Sequence, residues 1–219
     1  TLAIVDDEAK HLGRVLRKQQ GEEIFVTDGE GSVYRCKINN LAKELIDCSI
    51  LEKLISLNEP KVKIKLYQSL IKNPDRFEFA IEKAVELGVN TVHPVITEHV
   101  INKTTNKTER WQAIALAAMK QSQRCVLPKI FEPVNFADAI VSANGDLKLI
   151  ADEKENDSRI SIADIKDSFS TIDIFIGPEG GFTANEAELA VSNGFKILTL
   201  GARKFRSETA AIYTIGKLL

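Results

Sequence analysis

The chain has 219 residues, 27% of them charged, and a formal net charge of −2, so it can bury a large core as one domain or two but is no polycation, and any nucleic-acid contact must use a local patch. Its three cysteines, Cys36, Cys48 and Cys125, lack CxxC spacing and its three histidines, His11, His93 and His99, lack HxxxH, which argues against a disulfide framework and against a zinc site. No apolar run approaches a membrane span and no signal-like start is present, so a soluble cytoplasmic protein in a reducing compartment is expected.

Residues 1–59 read as a small β-barrel or sandwich. Runs at Glu23–Thr27, Val33–Ile38 and Leu45–Leu51 are separated by turn signals at Asp28-Gly29-Glu30-Gly31 and Asn39-Asn40. A short helix from His11 to about Lys18 precedes them, with Leu12, Val15 and Leu16 as its apolar side and Arg14, Arg17 and Lys18 as its basic side. Such a basic face is either solvated surface or a phosphate contact.

Pro60 marks a boundary, because it blocks continuation of a strand and the pattern changes after it. Strands are expected at Val62–Gln68, Thr91–Val95, Leu147–Ala151, Ile172–Ile176 and Lys196–Leu200. Helices are expected from Pro74 to Leu87 (closed by Gly88), Thr108–Gln123, Phe136–Val141, near Ser161–Ile165, Glu186–Asn193 (ended by Gly194) and Glu208–Leu218. Polar loops are expected at Lys103–Lys107 and Asp152–Arg159. Repeated β-α-β units imply a mostly parallel sheet covered on both faces.

Two strand–glycine–helix junctions stand out. In TIDIFIGPEGGFT (171–183), Gly177, Gly180 and Gly181 remove Cβ atoms where the chain turns, Pro178 stiffens the turn, and Thr183 with Glu186 forms a capping box. In ILTLGARKFRSETAA (197–211), Gly201 is followed by Arg203, Lys204 and Arg206, with Ser207 as the N-cap of the closing helix. Ordinary turns, caps and solvated cations are the alternative for either alone. Two such loops at one sheet edge would form a pocket suited to a ligand with an adenine and an amino-acid end. GxxxxGK[ST], GxGxxG after an early strand, and GxSxG are all absent, so neither a P-loop, a Rossmann dinucleotide site nor a serine hydrolase is supported.

IGPEGGFTANEAELA and LGARKFRSETAA resemble the carboxyl-terminal motifs of SPOUT-superfamily RNA methyltransferases, specifically the family that methylates N3 of a uridine near the 3′ end of 16S ribosomal RNA. HLGRVLR (11–17), RFEFAIEKAVELGV (76–89) followed by Pro94 and Thr97-Glu98, and AAMKQSQRCVLPKI (117–130) fit the same family in the same order. The resemblance implies an α/β fold: a SPOUT-type, trefoil-knotted parallel-sheet domain over 60–219, preceded by a PUA-like RNA-binding β-barrel over 1–59 whose first strand would be missing. It also implies S-adenosylmethionine as cofactor, ribosomal RNA of the small subunit as partner, a homodimer, and neither metal nor membrane. By resemblance, Ile176, Gly177, Pro178, Gly180 and Gly181 would line the cofactor loop together with Leu200, Gly201, Phe205 and Arg206. The chain departs from the usual family pattern at His99, Ala202, Phe205 and Ser207.

Uridine N3 carries a proton and lies on the Watson–Crick edge, so the base must be unpaired and some group must accept that proton. Glu179 is the candidate base, with satisfaction of loop N–H groups as its alternative role, and Arg206 could stabilise charge developing on a uracil carbonyl. RNA would lie along Arg14, Arg17, Lys72, Arg76, Lys83, Gln121 and Arg124, for each of which a solvated helix end is the alternative. Two other functions are open: a non-catalytic RNA-binding or ribosome-assembly protein, against which the intact GPEGG and RSETA loops count, and a SPOUT methyltransferase acting on another RNA or atom, which only mapping the modified nucleotide separates from the first reading. The apolar closing helix Ala210–Leu218 suits a core or a dimer interface equally.

Overall fold

The computed structural model describes residues 1–101, 107–153, 159–165 and 167–219. Most of the polar loop expected at Lys103–Lys107 and the middle of that at Asp152–Arg159 lie outside the described residues. The chain divides into two compact units, residues 1–59 with Arg124–Val126, and residues 60–123 with 127–219.

The first unit is an antiparallel sheet of β1 (Leu2–Val5), β2 (Glu23–Thr27), β3 (Ser32–Leu41) and β4 (Leu45–Ile55), in the order β1-β4-β3-β2. Asp28 Oδ1 accepts the amides of Glu30 at 2.8 Å and Ser32 at 3.0 Å, which closes the β2–β3 turn as its sequence suggested. Asn39-Asn40 is not a turn. It lies inside β3, where the register slips between Ile38 and Asn40, because Cys36 and Ile38 continue the buried face that Ile46 and Cys48 share. The turn comes later, where the Ala42 amide donates to the Leu45 carbonyl at 2.9 Å.

The expected helix from His11 to Lys18 is also corrected. A short α1 (Asp6–Lys10) comes earlier and runs into a π-type turn at His11–Val15. Ala9 is buried and Leu12 packs on the core, but Val15 and Leu16 are 65% and 52% exposed, since the chain leaves the helix there and Arg17 takes φ 52°. Leu2–Val5 pairs with β4 as an edge strand that no turn signal announced.

The second unit contains β5 (Lys63–Ser69), α2 (Pro74–Leu87), β6 (Thr91–Ile96), α3 (Thr108–Gln121), β7 (Lys129–Ile130), β8 (Val134–Asn135), α4 (Phe136–Ser142), β9 (Leu147–Ala151), β10 (Ile160–Ser161), β11 (Thr171–Ile176), α5 (Ala184–Ser192), β12 (Lys196–Thr199) and α6 (Ser207–Leu218). Every strand pairing is parallel, in the order β10-β12-β9-β11-β5-β6-β7, with β8 also on β6. From Ile172 to Ile176 β11 is buried throughout, which is why its apolar run shows no alternation. Ile64, Leu66, Ile172 and Ile174 pack with Phe77, Ile81, Trp111, Ala211 and Ile215 of α2, α3 and α6, while Tyr67, Phe175 and Ile197 pack with Phe136, Ile140 and Ala190 of α4 and α5.

The local signals act as chain chemistry requires. Asn73 Oδ1 accepts the Asp75 amide at 2.9 Å ahead of Pro74, and Gly88 ends α2 at φ 109°, where a Cβ would lie 2.3 Å from Pro60 Cγ. Thr183 and Glu186 exchange capping bonds of 3.2 and 2.8 Å at the start of α5. Across the sheet, Phe131, His93, Tyr67 and Phe175 form one stack with successive ring centroids 4.3, 4.4 and 4.2 Å apart.

Candidate functional site

β9 lies between β11 and β12, so the loops leaving the carboxyl ends of β11 and β12 are two inter-strand spacings apart, with one strand between them. They face each other across a cavity of about 420 Å³, lined by Ile176, Gly177, Pro178, Glu179 and Gly181 from the first loop and Leu200, Gly201, Arg203, Phe205 and Arg206 from the second. Ala151, Asp152 and Glu153 close it from the end of β9, and Arg76, Ser207 and Ala210 from α2 and α6. No residue pattern pointed to the β9 segment; only the strand order puts it there.

Gly181 and Gly201 adopt φ 67° and 101°, and nothing lies within 4 Å of where a Cβ would stand. The glycines serve the turn and leave backbone open to the cavity. Gly180 does not line the cavity: it backs onto His99, whose Cβ is 3.0 Å from where a Gly180 Cβ would lie. His99 Nδ1 is also 3.0 Å from the Gly181 carbonyl oxygen, so the residue that departs from the family pattern braces the loop.

Ser207 is the first helical residue of α6 and not its cap; Arg206 holds that position with no side-chain capping bond. The Ser207 hydroxyl instead donates to the Gly177 carbonyl at 2.5 Å and accepts from Gln68 Nε2 at 2.8 Å. Gln68 is fully buried on β5, and this hydroxyl ties three elements together.

Arg76 meets Glu208 through a two-bond fork, Nε to Oε1 at 2.8 Å and Nη2 to Oε2 at 2.7 Å. Burial alone would raise the Glu208 pKa, but hydrogen bonds from Arg76 and the backbone, with the charges of Arg76 and Arg206, outweigh it and leave Glu208 below the usual carboxylate range. Arg76 Nη1 is 3.4 Å from Glu179 Oε1, and the Lys72 amide is 3.4 Å from Glu179 Oε2. Arg206 is exposed on the cavity rim.

The residues expected along RNA belong to both units. Arg14 and Arg17 are exposed in the first unit; Lys72 and Gln121 are exposed in the second. Lys83 is half-buried and bonded to Glu82 and Glu86 at 2.7 Å each. Arg124 is corrected. It is 3% exposed and donates to Glu59 at 2.6 Å, while Glu59 Oε1 also accepts the amides of Cys125 and Val126 at 2.9 and 3.0 Å. A guanidinium enclosed by a carboxylate has no solvent-facing donor to offer a phosphate. Among the described residues no helix is long and apolar enough to cross a membrane, and no cluster of three or more His, Cys, Asp or Glu side chains could hold a metal.

This architecture is that of a defined protein class: the RNA methyltransferase domain family matches residues 58–219, and the RNA methyltransferase PUA domain family matches residues 4–51. The ribosomal RNA small subunit methyltransferase E of Aquifex aeolicus (strain VF5) is 34% identical over 221 residues, covering 100% of this chain and 93% of that protein. The protein of the same name from Mesomycoplasma hyopneumoniae (strain 232) is 41% identical over 175 residues, covering 78% and 75% of the two chains. A crystal structure of a ribosomal RNA small subunit methyltransferase E from Neisseria gonorrhoeae bound to S-adenosyl methionine superposes with a TM-score of 0.87 at 33% identity, over 98% of this chain and 89% of that one. A methyltransferase of Legionella pneumophila, solved with bound cofactor SAM, gives 0.84 at 31% identity over 99% and 90%. The chain belongs to this RNA methyltransferase family, that of the ribosomal RNA small subunit methyltransferase E proteins.

Proposed function

We propose that this chain transfers the methyl group of S-adenosylmethionine to N3 of a specific uridine in the 16S RNA of the small ribosomal subunit. The observation that carries the reading is the cavity between the Gly177 and Gly201 loops, at the carboxyl ends of parallel strands, in a family whose Neisseria gonorrhoeae member was crystallised with this cofactor.

The residues present fit such a group. Ile176, Leu200, Phe205 and Ala210 supply apolar wall for an adenine, and the open faces of Gly181 and Gly201 leave backbone donors and acceptors within reach of polar edges. Ile176, Gly177, Pro178, Gly181, Leu200, Gly201, Phe205 and Arg206 would hold the cofactor; Gly180 would support them by letting the loop close on His99. When bound, S-adenosylmethionine supplies an activated methyl group. Glu179, on the cavity wall, would accept the N3 proton of an unpaired uridine, and Arg206 on the rim would donate to the uracil carbonyl as negative charge develops there.

Residues 1–59 act in this reading as the PUA-like RNA-binding domain and 60–219 as the knotted methyltransferase domain, working in the cytoplasm as a homodimer. Arg14, Arg17, Lys72 and Gln121, all exposed, contact RNA; Lys83 contributes at most the donor capacity its two glutamates leave.

The test is to incubate the chain with methyl-labelled S-adenosylmethionine and small subunits lacking the modification, then map the labelled nucleotide by mass spectrometry. One 3-methyluridine in 16S RNA is expected. A label on another atom or another RNA, or S-adenosylhomocysteine binding without turnover, would replace the reading with one of its two alternatives.

A further inference from the structure

We infer that Arg76 is a positioning residue of this site, which holds the carboxylate of Glu179 toward the cavity from an anchor on Glu208. The inference rests on the function proposed above, in which Glu179 receives the proton.

The geometry distinguishes this role from a phosphate contact. Glu208 is the second residue of α6, its side chain only 9% exposed, and it takes the Nε/Nη2 edge of the guanidinium at 2.8 and 2.7 Å, within the range of charge-assisted bonds. Nη1 takes no part in the fork, and it faces Glu179 at 3.4 Å. The other Glu179 oxygen sits 3.4 Å from the Lys72 amide, so both carboxylate oxygens have a donor on the same side. At these distances the Glu179 side chain, 40% exposed, is steered without being locked, which suits a group that must meet a substrate proton.

Charge argues the same way. Arg76 lies within ion-pair distance of two carboxylates, so its own charge is already answered there. The chain also commits distant segments to the arrangement, since Arg76 and Glu208 are 132 residues apart.

A double-mutant cycle tests this. Arg76→Lys keeps the charge but cannot form the fork, and should lower the single-turnover rate at saturating S-adenosylmethionine and RNA by about 10- to 100-fold. In a Glu179→Gln background the same change should cost nothing more, because Arg76 acts through that carboxylate. In parallel, RNA binding without cofactor is measured against salt, where Arg76→Lys should leave affinity and slope unchanged, as should Arg76→Gln, which also removes the charge. Glu208→Gln, which weakens the anchor from the other side, should reproduce the rate loss and serves if the Arg76 variants fail to fold by thermal melting. Rate losses that multiply, a slow Arg76→Lys beside a full-rate Glu179→Gln, or a salt slope that falls by about one unit in Arg76→Gln would overturn the inference. An inactive parent chain would instead overturn the proposed function, and the salt series would still decide whether Arg76 touches phosphate.

Discussion

The Ser207 hydroxyl donates to the Gly177 carbonyl at 2.5 Å, so the first turn of α6 grips the first residue of the loop after β11. With Gln68 Nε2 donating to the same hydroxyl at 2.8 Å, a single side-chain oxygen sets the spacing of the two cavity walls.

Ser207→Ala should therefore cost about 1–3 kcal/mol, because the Gly177 carbonyl loses the hydroxyl and the buried Gln68 amide keeps only its 3.1 Å bond to the Ser69 carbonyl. Ser207→Thr keeps the hydroxyl and should stay within about 1 kcal/mol of the parent. Urea denaturation of the three chains checks this, and an alanine variant as stable as the parent would remove the clamp.

The Arg124–Glu59 pair predicts a loss of a different kind. Arg124→Leu strands a carboxylate that is 7% exposed, at a cost of about 3–5 kcal/mol, and should leave the salt slope of RNA binding unaltered. A stable variant with a flatter slope would return Arg124 to the RNA surface.

His93 gives the chain a pH window. Burial first, then the charges of Lys65 and Lys129, lower its pKa from 6.5 to about 4. The unfolded chain thus binds the proton more readily than the folded one, so the stability His93 supports is full above pH 6.5 and drains away as pH falls toward 4. Between pH 6.5 and 5 the urea midpoint should drop, and His93→Phe, which preserves the ring stack with Tyr67 and Phe131, should flatten that part of the profile. Glu208 titrates lower, since its folded pKa lies below the ordinary 4.5, and its own contribution is lost only at more acid pH.

Gly180→Ala tests the brace behind the loop. The new Cβ would stand 3.0 Å from His99 Cβ and 3.1 Å from its Cγ and Nδ1, an overpacking worth about 1–3 kcal/mol. S-adenosylhomocysteine should bind more weakly by calorimetry, and His99→Ala in the same chain should recover part of the loss by removing the ring. Unchanged binding by Gly180→Ala would mean that the loop tolerates displacement.

Much of this protein was legible in its residues, and the boundary between what was and was not follows distance along the chain. The parallel-sheet alternation, the cap of α2 at Asn73, its stop at Gly88 and the Thr183–Glu186 box rest on neighbours a few residues apart, so pattern and propensity suffice. The two-residue strands β7, β8 and β10 carry no period to detect, and the bulge at Asn39-Asn40 mimics a turn because the same residues serve both.

The sequence by itself determined that an apolar strand run ends in a glycine turn twice, and that the motifs occur in the order of one RNA methyltransferase family. Only the tertiary structure decided that β9 separates those two turns by one strand, that Ser207 serves a carbonyl 30 residues away, and that Arg76 and Arg124 answer to buried carboxylates. An arginine reads the same in sequence whether it meets water, phosphate or glutamate; which of these it meets depends on what folding brings within hydrogen-bond reach, and hydrogen bonds and ion pairs do not act beyond a few ångströms.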